Sequence, residues 1–377
     1  MISPHKFFEA LQSAGVDFVC GVPDSLLKEF CAFVDTELPT ERHLITVNEG
    51  TAIAIAAGSQ MASGGVPLVY LQNSGLGNSV NPLLSLTDPE VYAIPMVLLV
   101  GWRGEPGVRD EPQHMKQGRV TQEMLEAMGI PYAILGGDPE EAIEIALRAV
   151  TEAKARSGPY VILARKGAFS SAGMQTSSPV SSDLPIREDV ISWIADALPE
   201  KSSIVATTGH ISRELYEYRL HNGQDHSGDF LTVGCMGHAS QIALGISLRQ
   251  SNRLVVCLDG DGAMLMHMGG VATIGTMNPN GFLHILINNG AHDSVGGQPT
   301  VAFSIKSTEI AKACGYKRVV GPVISKEEIK SAVKSLSTEG ACSFLEVHVR
   351  PGARKNLGRP KESPSENKAL FIDGLRA

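Results

Sequence analysis

A chain of 377 residues is longer than one hydrophobic core usually spans, which predicts two domains of roughly 150 to 190 residues each. An apolar content of 43% with 5% aromatics excludes a disordered chain, and a formal charge of −8 argues against a general nucleic-acid binder, which would carry a basic face. No stretch approaches about 18 uninterrupted apolar residues, and the opening MISPHKFFEAL lacks an apolar signal core, so neither a membrane partner nor a leader is expected. The six cysteines, Cys20, Cys31, Cys235, Cys257, Cys314 and Cys342, show no CxxC and no zinc spacing. They are expected as buried thiols in a reducing, cytoplasmic compartment.

Along the first half, short apolar strands alternate with helical patterns: FVCGV near residue 18, HLITV from His43, PLVYLQ from Pro67, PMVLLVG from Pro95 and YVILARKG from Tyr160. Between them lie stretches such as EALQSAG and PEEAIEIALRAVTEAKAR, a rhythm that predicts a parallel sheet covered by helices. The Ser-rich AFSSAGMQTSSPVSSD that follows has no periodicity and reads as a linker over 168–185. The rhythm restarts with SIVATTG from Ser203, DFLTVG from Asp229, RLVVCLDG from Arg253, FLHILINNG from Phe282 and CSFLEVHV from Cys342. Two α/β domains with doubly wound parallel sheets are therefore expected at 1–167 and 186–350, followed by a polar tail over 351–377. The halves share no residue-level repeat, so any kinship between them is topological. In the tail, ALFIDGL either docks on a neighbouring domain or subunit or frays.

The most informative string is DGDG from Asp259, at the end of one buried strand, followed by NNG from Asn288 at the end of the next. In an open parallel sheet both ends face the edge where ligands bind. Carboxylate and amide oxygens suit a hard cation such as magnesium, and the glycines let backbone approach a ligand closely. A calcium loop fails because its twelfth position, counted from Asp259, is Gly270. There is no GxGxxG spacing and no Walker lysine. A plain glycine turn accounts for GDG alone, and less well for GDG with NN one helix and one strand later.

This pair of motifs resembles the signature of the thiamine-diphosphate-dependent decarboxylase family. By that resemblance the cofactors are thiamine diphosphate and Mg2+. Asp261 and Asn289 would ligate the metal by side chain and Ala291 by its carbonyl, while Asn288 holds the adjoining turn. The separation of 28 residues from Asp261 to Asn289 slightly exceeds the family's usual spacing, which keeps Asn288 as the alternative ligand. Upstream, GCMGHASQIALGI is similar to the family's diphosphate-contacting segment. Gly234, Gly237 and His238, with Gly260, Gly262 and Ala263, would contact the cofactor, and Met236 would be its apolar wedge. A Met at the start of a helix also serves simply as core.

The cofactor reacts only after losing its C2 proton to its own 4′-imino group, which requires a carboxylic acid at N1′ of the aminopyrimidine. A carboxyl in an apolar pocket suits such proton exchange. Glu49 follows HLITV and opens the small-residue stretch EGTAIAIAAGSQMASG, the context of the family's activating Glu. An acidic residue at a helix N-terminus also has a purely electrostatic use. CGVPDS from Cys20 and QNSGLGNSVNPL from Gln72 resemble the family's first-strand turn and glycine-containing loop. The resemblance makes 1–167 the pyrimidine-binding domain and 186–350 the diphosphate- and metal-binding domain, with no domain between them.

That compact arrangement, with RGEPGVRDEPQH from Arg103 and the string after Asn288, is most similar to the phosphonopyruvate decarboxylase branch, with sulfopyruvate decarboxylases as near neighbours. It implies a small 2-oxo acid substrate bearing a phosphonate. Arg103, Arg109, His114, Lys116 and Arg119 are the candidate donors to that dianion, although loop cations are commonly just solvated. His114 and His292 are candidates for proton handling because imidazole titrates near neutrality. Asp24 and Ser25 either face the substrate or cap the helix after them, and His267 reads as structural. The family assembles its site from two subunits, which implies at least a homodimer with shared sites.

Overall fold

The computed structural model describes residues 1–171, 173, 183–250, 252–338 and 340–376. The chain divides into two compact units, Met1–Ser177 and Ser178–Ala377. The first contains β1 (Val16–Gly21), β2 (His43–Ile45), β3 (Val66–Gln72), β4 (Met96–Gly101), β5 (Tyr132–Leu135) and β6 (Pro159–Ala164). The second contains β7 (Ser203–Ala206), β8 (Asp229–Leu231), β9 (Val255–Gly260), β10 (Phe282–Asn288), β11 (Arg318–Val323) and β12 (Cys342–His348).

Every strand pairing is parallel. The first sheet runs β2-β1-β3-β4-β6-β5 and the second β8-β7-β9-β10-β12-β11, so both units have the same strand order. The expected kinship of the halves is thus one of topology. In each, the chain reverses its winding direction beside the first strand, which opens a crevice at the C-terminal ends of β1 and β3, or of β7 and β9. Apolar layers cover both faces of each sheet. Central strands such as β4, β6 and β10 are buried at every position, which is why they read as continuous Val, Ile and Leu runs. The sequence reading missed β5 and β11. Both are edge strands with half-exposed positions and no such run.

Helix boundaries follow local chemistry. Asn48 caps Glu49–Ser63, its side chain accepting the N–H groups of Gly50 and Thr51 at 2.8 and 3.3 Å, and Gly64 ends that helix in the left-handed region. Ala52, Ala56 and Ala57 on its inner face are buried, so the helix lies close on the sheet. Asp138 caps Pro139–Arg156 in the same way.

Two expected boundaries change. Residues 172 and 174–182 of the expected linker lie outside the described residues. Its beginning, however, belongs to the first unit: Ile2 N–H donates to Ala168 O, Ser170 N–H donates to Ile2 O, and Phe169 is buried against Phe7 and Phe30. The expected tail ends in a helix, Pro364–Arg376, packed on the second unit. There Phe371 meets Phe230 with ring centroids 5.5 Å apart, while the Asn367 side chain bonds the β8 backbone at Asp229 O and Leu231 N–H. Among the described residues no helix is long and apolar enough to cross a membrane.

Candidate active site

In the first unit, the parallel strands deliver Asp24, Glu49, Gln72, Arg103 and Lys166 to one edge of the sheet. Glu49 is 5% exposed and is the first residue of its helix. Its Oε2 accepts Asn78 Nδ2 at 2.8 Å. Its other oxygen lies against Gly75, where an added Cβ would stand 2.3 Å from Oε1, so the loop approaches the carboxylate as only glycine allows. Asp24 is fully buried. Its carboxylate accepts Gln72 Nε2 at 2.6 Å and Leu26 N–H at 3.0 Å, closing the turn after β1. Burial raises its pKa, with those bonds pulling it back. Asp24 thus fixes the turn and does not cap the helix Lys28–Glu37, whose N-cap position, Leu27, has no side-chain cap.

Arg103 is also engaged within the chain. Its guanidinium donates to Asp110 through Nε and Nη2, at 2.8 and 2.5 Å, and to Ser25 Oγ through Nη1 at 2.7 Å. Burial opposes the charge on Asp110, but the Arg103 fork and the N–H groups of Glu111 and Gly104 hold its carboxyl well below the usual range. Arg103 is thus a strut of the loop and not a free anion-binding cation. A cavity of about 200 Å³ opens beside it, lined by Ser25, Trp102, Arg103, Arg109, Asp110 and Lys166 among others. Lys116 and Arg119 are exposed on the helix Pro112–Ala127 and do not line it. His114, on the same helix, is buried, and its Nδ1 has no partner among the described residues.

In the second unit, Gly260 ends β9 and Asn288 ends β10, with Ile287 opposite Gly260 in the ladder. Asp261 is 4% exposed; its Oδ2 accepts Thr300 Oγ1 at 2.5 Å, and the backbone N–H groups of Gly262 and Asn289 also point at its carboxylate. Burial raises its pKa to about 6 even so. Asn288 is spent on the turn, donating to Glu346 Oε1 at 3.0 Å and accepting Gly290 N–H at 3.1 Å. Asn289 is engaged in a parallel way: its side chain donates to Asp293 and accepts Ala291 N–H at 3.2 Å. Ala291 itself pairs with Pro299, folding 290–300 back over the site.

The glycines define a cradle. A Cβ on Gly262 would meet the His292 ring at 3.1 Å and Met236 Cε at 3.3 Å, so these three residues converge. Gly234, Cys235 and Gly237 all have positive φ, and Gly234 N–H is held by Thr208 Oγ1 at 3.0 Å. Cys235 is exposed, in contrast to the expected buried thiol, because this turn faces outward. His238 Nδ1 contacts Met236 O at 3.2 Å and its ring lies 4.2 Å from that of His267. Ala263 is buried, with its carbonyl 3.0 Å from where a Cβ on Gly237 would lie.

Beneath this turn, His284 bridges Asp259 and Tyr316 at 3.1 Å each, and Asp259 also accepts Gly260 N–H. Cys257 completes a compact donor group there. Because His284 uses both ring nitrogens, the group serves as a hydrogen-bonded floor.

Burial pushes His114, His210 and His292 down to about 4, with the Arg103 charge adding to the effect at His114 and that of Arg187 at His210. In each case burial favours the uncharged imidazole. Sequence reasoning missed His210, Thr300, Arg187, Asp293 and Gln298. The TTGH string at the end of β7 signals the first; the others lie far from the motif in the chain or look like ordinary loop residues.

The donor set fits a hard cation. A buried carboxylate with a raised pKa, an amide oxygen and a backbone carbonyl lack only a positive charge to offset desolvation. Several buried polar atoms also await a ligand or water: Thr207 Oγ1, His210 Nδ1, His267 Nε2 and both amide atoms of Gln298 have no partner among the described residues.

Family models described as the N-terminal and C-terminal TPP (thiamine pyrophosphate) binding domains of thiamine pyrophosphate enzymes match residues 4–125 and 207–347. A phosphonopyruvate decarboxylase of Streptomyces viridochromogenes is 35% identical over 382 residues, covering 97% of this chain and 93% of that protein. One from Streptomyces hygroscopicus is 36% identical over 97% of this chain and 92% of its own length. A sulfopyruvate decarboxylase of Methanosarcina acetivorans is 29% identical over 98% of this chain and 97% of its own.

Proposed function

The chain belongs to the thiamine pyrophosphate enzyme family, and on that premise we propose that it decarboxylates phosphonopyruvate to phosphonoacetaldehyde and carbon dioxide with thiamine diphosphate as its cofactor. The observation that carries this reading is 35–36% identity to phosphonopyruvate decarboxylases along 97% of the chain. The relative acting on sulfopyruvate, at 29% identity over a similar span, keeps that substrate as the second reading.

When bound, thiamine diphosphate supplies the nucleophilic carbon that adds to the ketone and the sink for the electrons released with carbon dioxide. Asp261, the amide oxygen of Asn289 and the carbonyl of Ala291 would hold Mg2+. The Gly234–His238 turn, with Gly260, Gly262 and Ala263, lets backbone reach the diphosphate, and Met236 gives apolar support. Glu49 would exchange a proton with the aminopyrimidine N1′; the Asn78 bond to Oε2 supports that role by leaving Oε1 for it. His114 and His292, neutral at pH 7, act as proton acceptors or hydrogen-bond partners of the substrate. Arg109 and Lys166 are the cavity's cations for the phosphonate, with Arg103 holding Ser25 and the loop in place. The family's use of two subunits per site extends the proposal to a homodimer in which Glu49 and Asp261 act from different copies.

The test is aldehyde release from phosphonopyruvate, sulfopyruvate and pyruvate, each with and without thiamine diphosphate and Mg2+. Turnover of pyruvate comparable to that of phosphonopyruvate overturns the assignment. For the shared site, mixing Glu49→Ala with Asp261→Ala protein under subunit exchange restores activity; no recovery removes the dimer reading.

A further inference from the structure

We propose that Asp293, gripped by Arg187, is a positioning residue that keeps the amide oxygen of Asn289, and not its nitrogen, turned to the metal. The inference rests on the reading of Asn289 as a metal ligand. A side-chain amide has two ends of almost equal shape, of which one accepts and the other only donates. A cation binds the accepting end alone, so a half-turn of the amide removes a ligand and replaces it with hydrogens aimed at the charge.

The chain fixes that choice with an acceptor. Asn289 Nδ2 donates to Asp293 Oδ2 at 2.7 Å, a bond that the oxygen of a flipped amide could not make to a carboxylate. Ala291 N–H, 3.2 Å from Asn289 Oδ1, reads the same orientation from the other side. The carboxylate is itself immobilised. Its Oδ2 also accepts Arg187 Nη1 at 2.6 Å and Gly352 N–H at 3.0 Å. Arg187 is 4% exposed and forks onto Glu214, 2% exposed, with both bonds at 2.9 Å. One guanidinium thus serves two carboxylates, leaving an excess negative charge beside the proposed metal position. Such outer partners typically change metal affinity by about 10- to 100-fold when removed.

The test is a double-mutant cycle read by Mn2+ affinity, from the EPR signal of free Mn2+ in full-length protein with saturating thiamine diphosphate. In the otherwise native chain, Asp293→Ala weakens Mn2+ binding about tenfold or more, because it removes the one acceptor that holds Asn289 Nδ2. Asn at 293 is not the variant of choice, since Arg187 and Gly352 N–H would keep its oxygen where Oδ2 now accepts Asn289. In an Asn289→Asp background both ends of the ligand are oxygens, orientation is no longer needed, and Asp293→Ala leaves affinity unchanged or tightens it by relieving like charge. An equal loss in both backgrounds means that Asp293 only supports the loop, and overturns the proposal. Should Asp293→Ala not fold, Arg187→Lys, which cannot fork across both carboxylates, is expected to show a smaller loss with the same cancellation. Asn289→Ala separates the two levels: unchanged Mn2+ binding overturns the ligand reading together with this inference, whereas weakened binding with no cancellation overturns this inference alone.

Discussion

Replacing Gly75 by alanine would set a Cβ 2.3 Å from Glu49 Oε1 and 2.6 Å from its Cδ and Cγ. Ordinary contact requires the carboxylate or the loop to retreat by about 1 Å. The backbone at Gly75, with φ −77°, accepts alanine, so the whole effect is steric and aimed at one side chain. A reacting group misplaced by about 1 Å can cost roughly 100-fold in rate. Gly75→Ala is therefore expected to lower kcat for phosphonopyruvate by about that factor, and to slow C2 proton–deuterium exchange of bound thiamine diphosphate in parallel. Gly77 provides the control. It lies two residues on, in the helix Leu76–Pro82, with no heavy atom within 4 Å of an added Cβ. Gly77→Ala keeps full activity and gains about 0.5–1 kcal/mol of stability. Quenched exchange followed by NMR, beside steady-state turnover, measures both variants. A wild-type exchange rate in Gly75→Ala would refute the assignment of Glu49 as the activating carboxylate.

Arg109→Ala and Lys166→Ala are each expected to raise KM for phosphonopyruvate about tenfold while leaving that for pyruvate unchanged, a difference seen in parallel saturation curves. Arg103→Ala instead leaves the Asp110 carboxylate with only the N–H groups of Gly104 and Glu111 and costs about 1–2 kcal/mol, measured by urea denaturation. Mg2+ with thiamine diphosphate at about 100 times Kd adds near 2.7 kcal/mol of stability, a melting shift absent from Asp261→Ala. His43 is buried beside Tyr70, and burial lowers its pKa from 6.5 to about 4. The unfolded chain takes up that proton first, so stability present above pH 6.5 drains away as pH falls towards 4, by up to roughly 3 kcal/mol. Urea midpoints at pH 7.5 and 4.5 should converge in His43→Gln relative to the native chain.

The parts of this molecule legible in the sequence are those written by neighbours along the chain. Buried parallel strands announce themselves as unbroken apolar runs, and glycines mark their ends, which is why the places of Asp261 and Asn289 just after β9 and β10 were legible. The place of Glu49 at a helix start was readable because a strand, an acid and a small-residue helix are contiguous. Edge strands β5 and β11 lack the double burial that produces such runs. The role of Arg103 depends on Asp110 seven positions on and on Ser25 in a different turn, and a list of loop cations cannot distinguish a strut from a free charge. Arg187 and Asp293 are 106 positions apart, so nothing local joins them.

Asn367 has a consequence at the far side of the second sheet. By accepting Leu231 N–H at 3.1 Å and donating to Asp229 O at 3.0 Å, one side chain imitates the hydrogen bonds of an additional strand along β8, one of the sheet's two edge strands. An open strand of this kind is a template for pairing with another molecule. The last helix therefore covers that edge. A chain shortened before Pro364 is expected to retain its two sheets and to precipitate as its concentration rises.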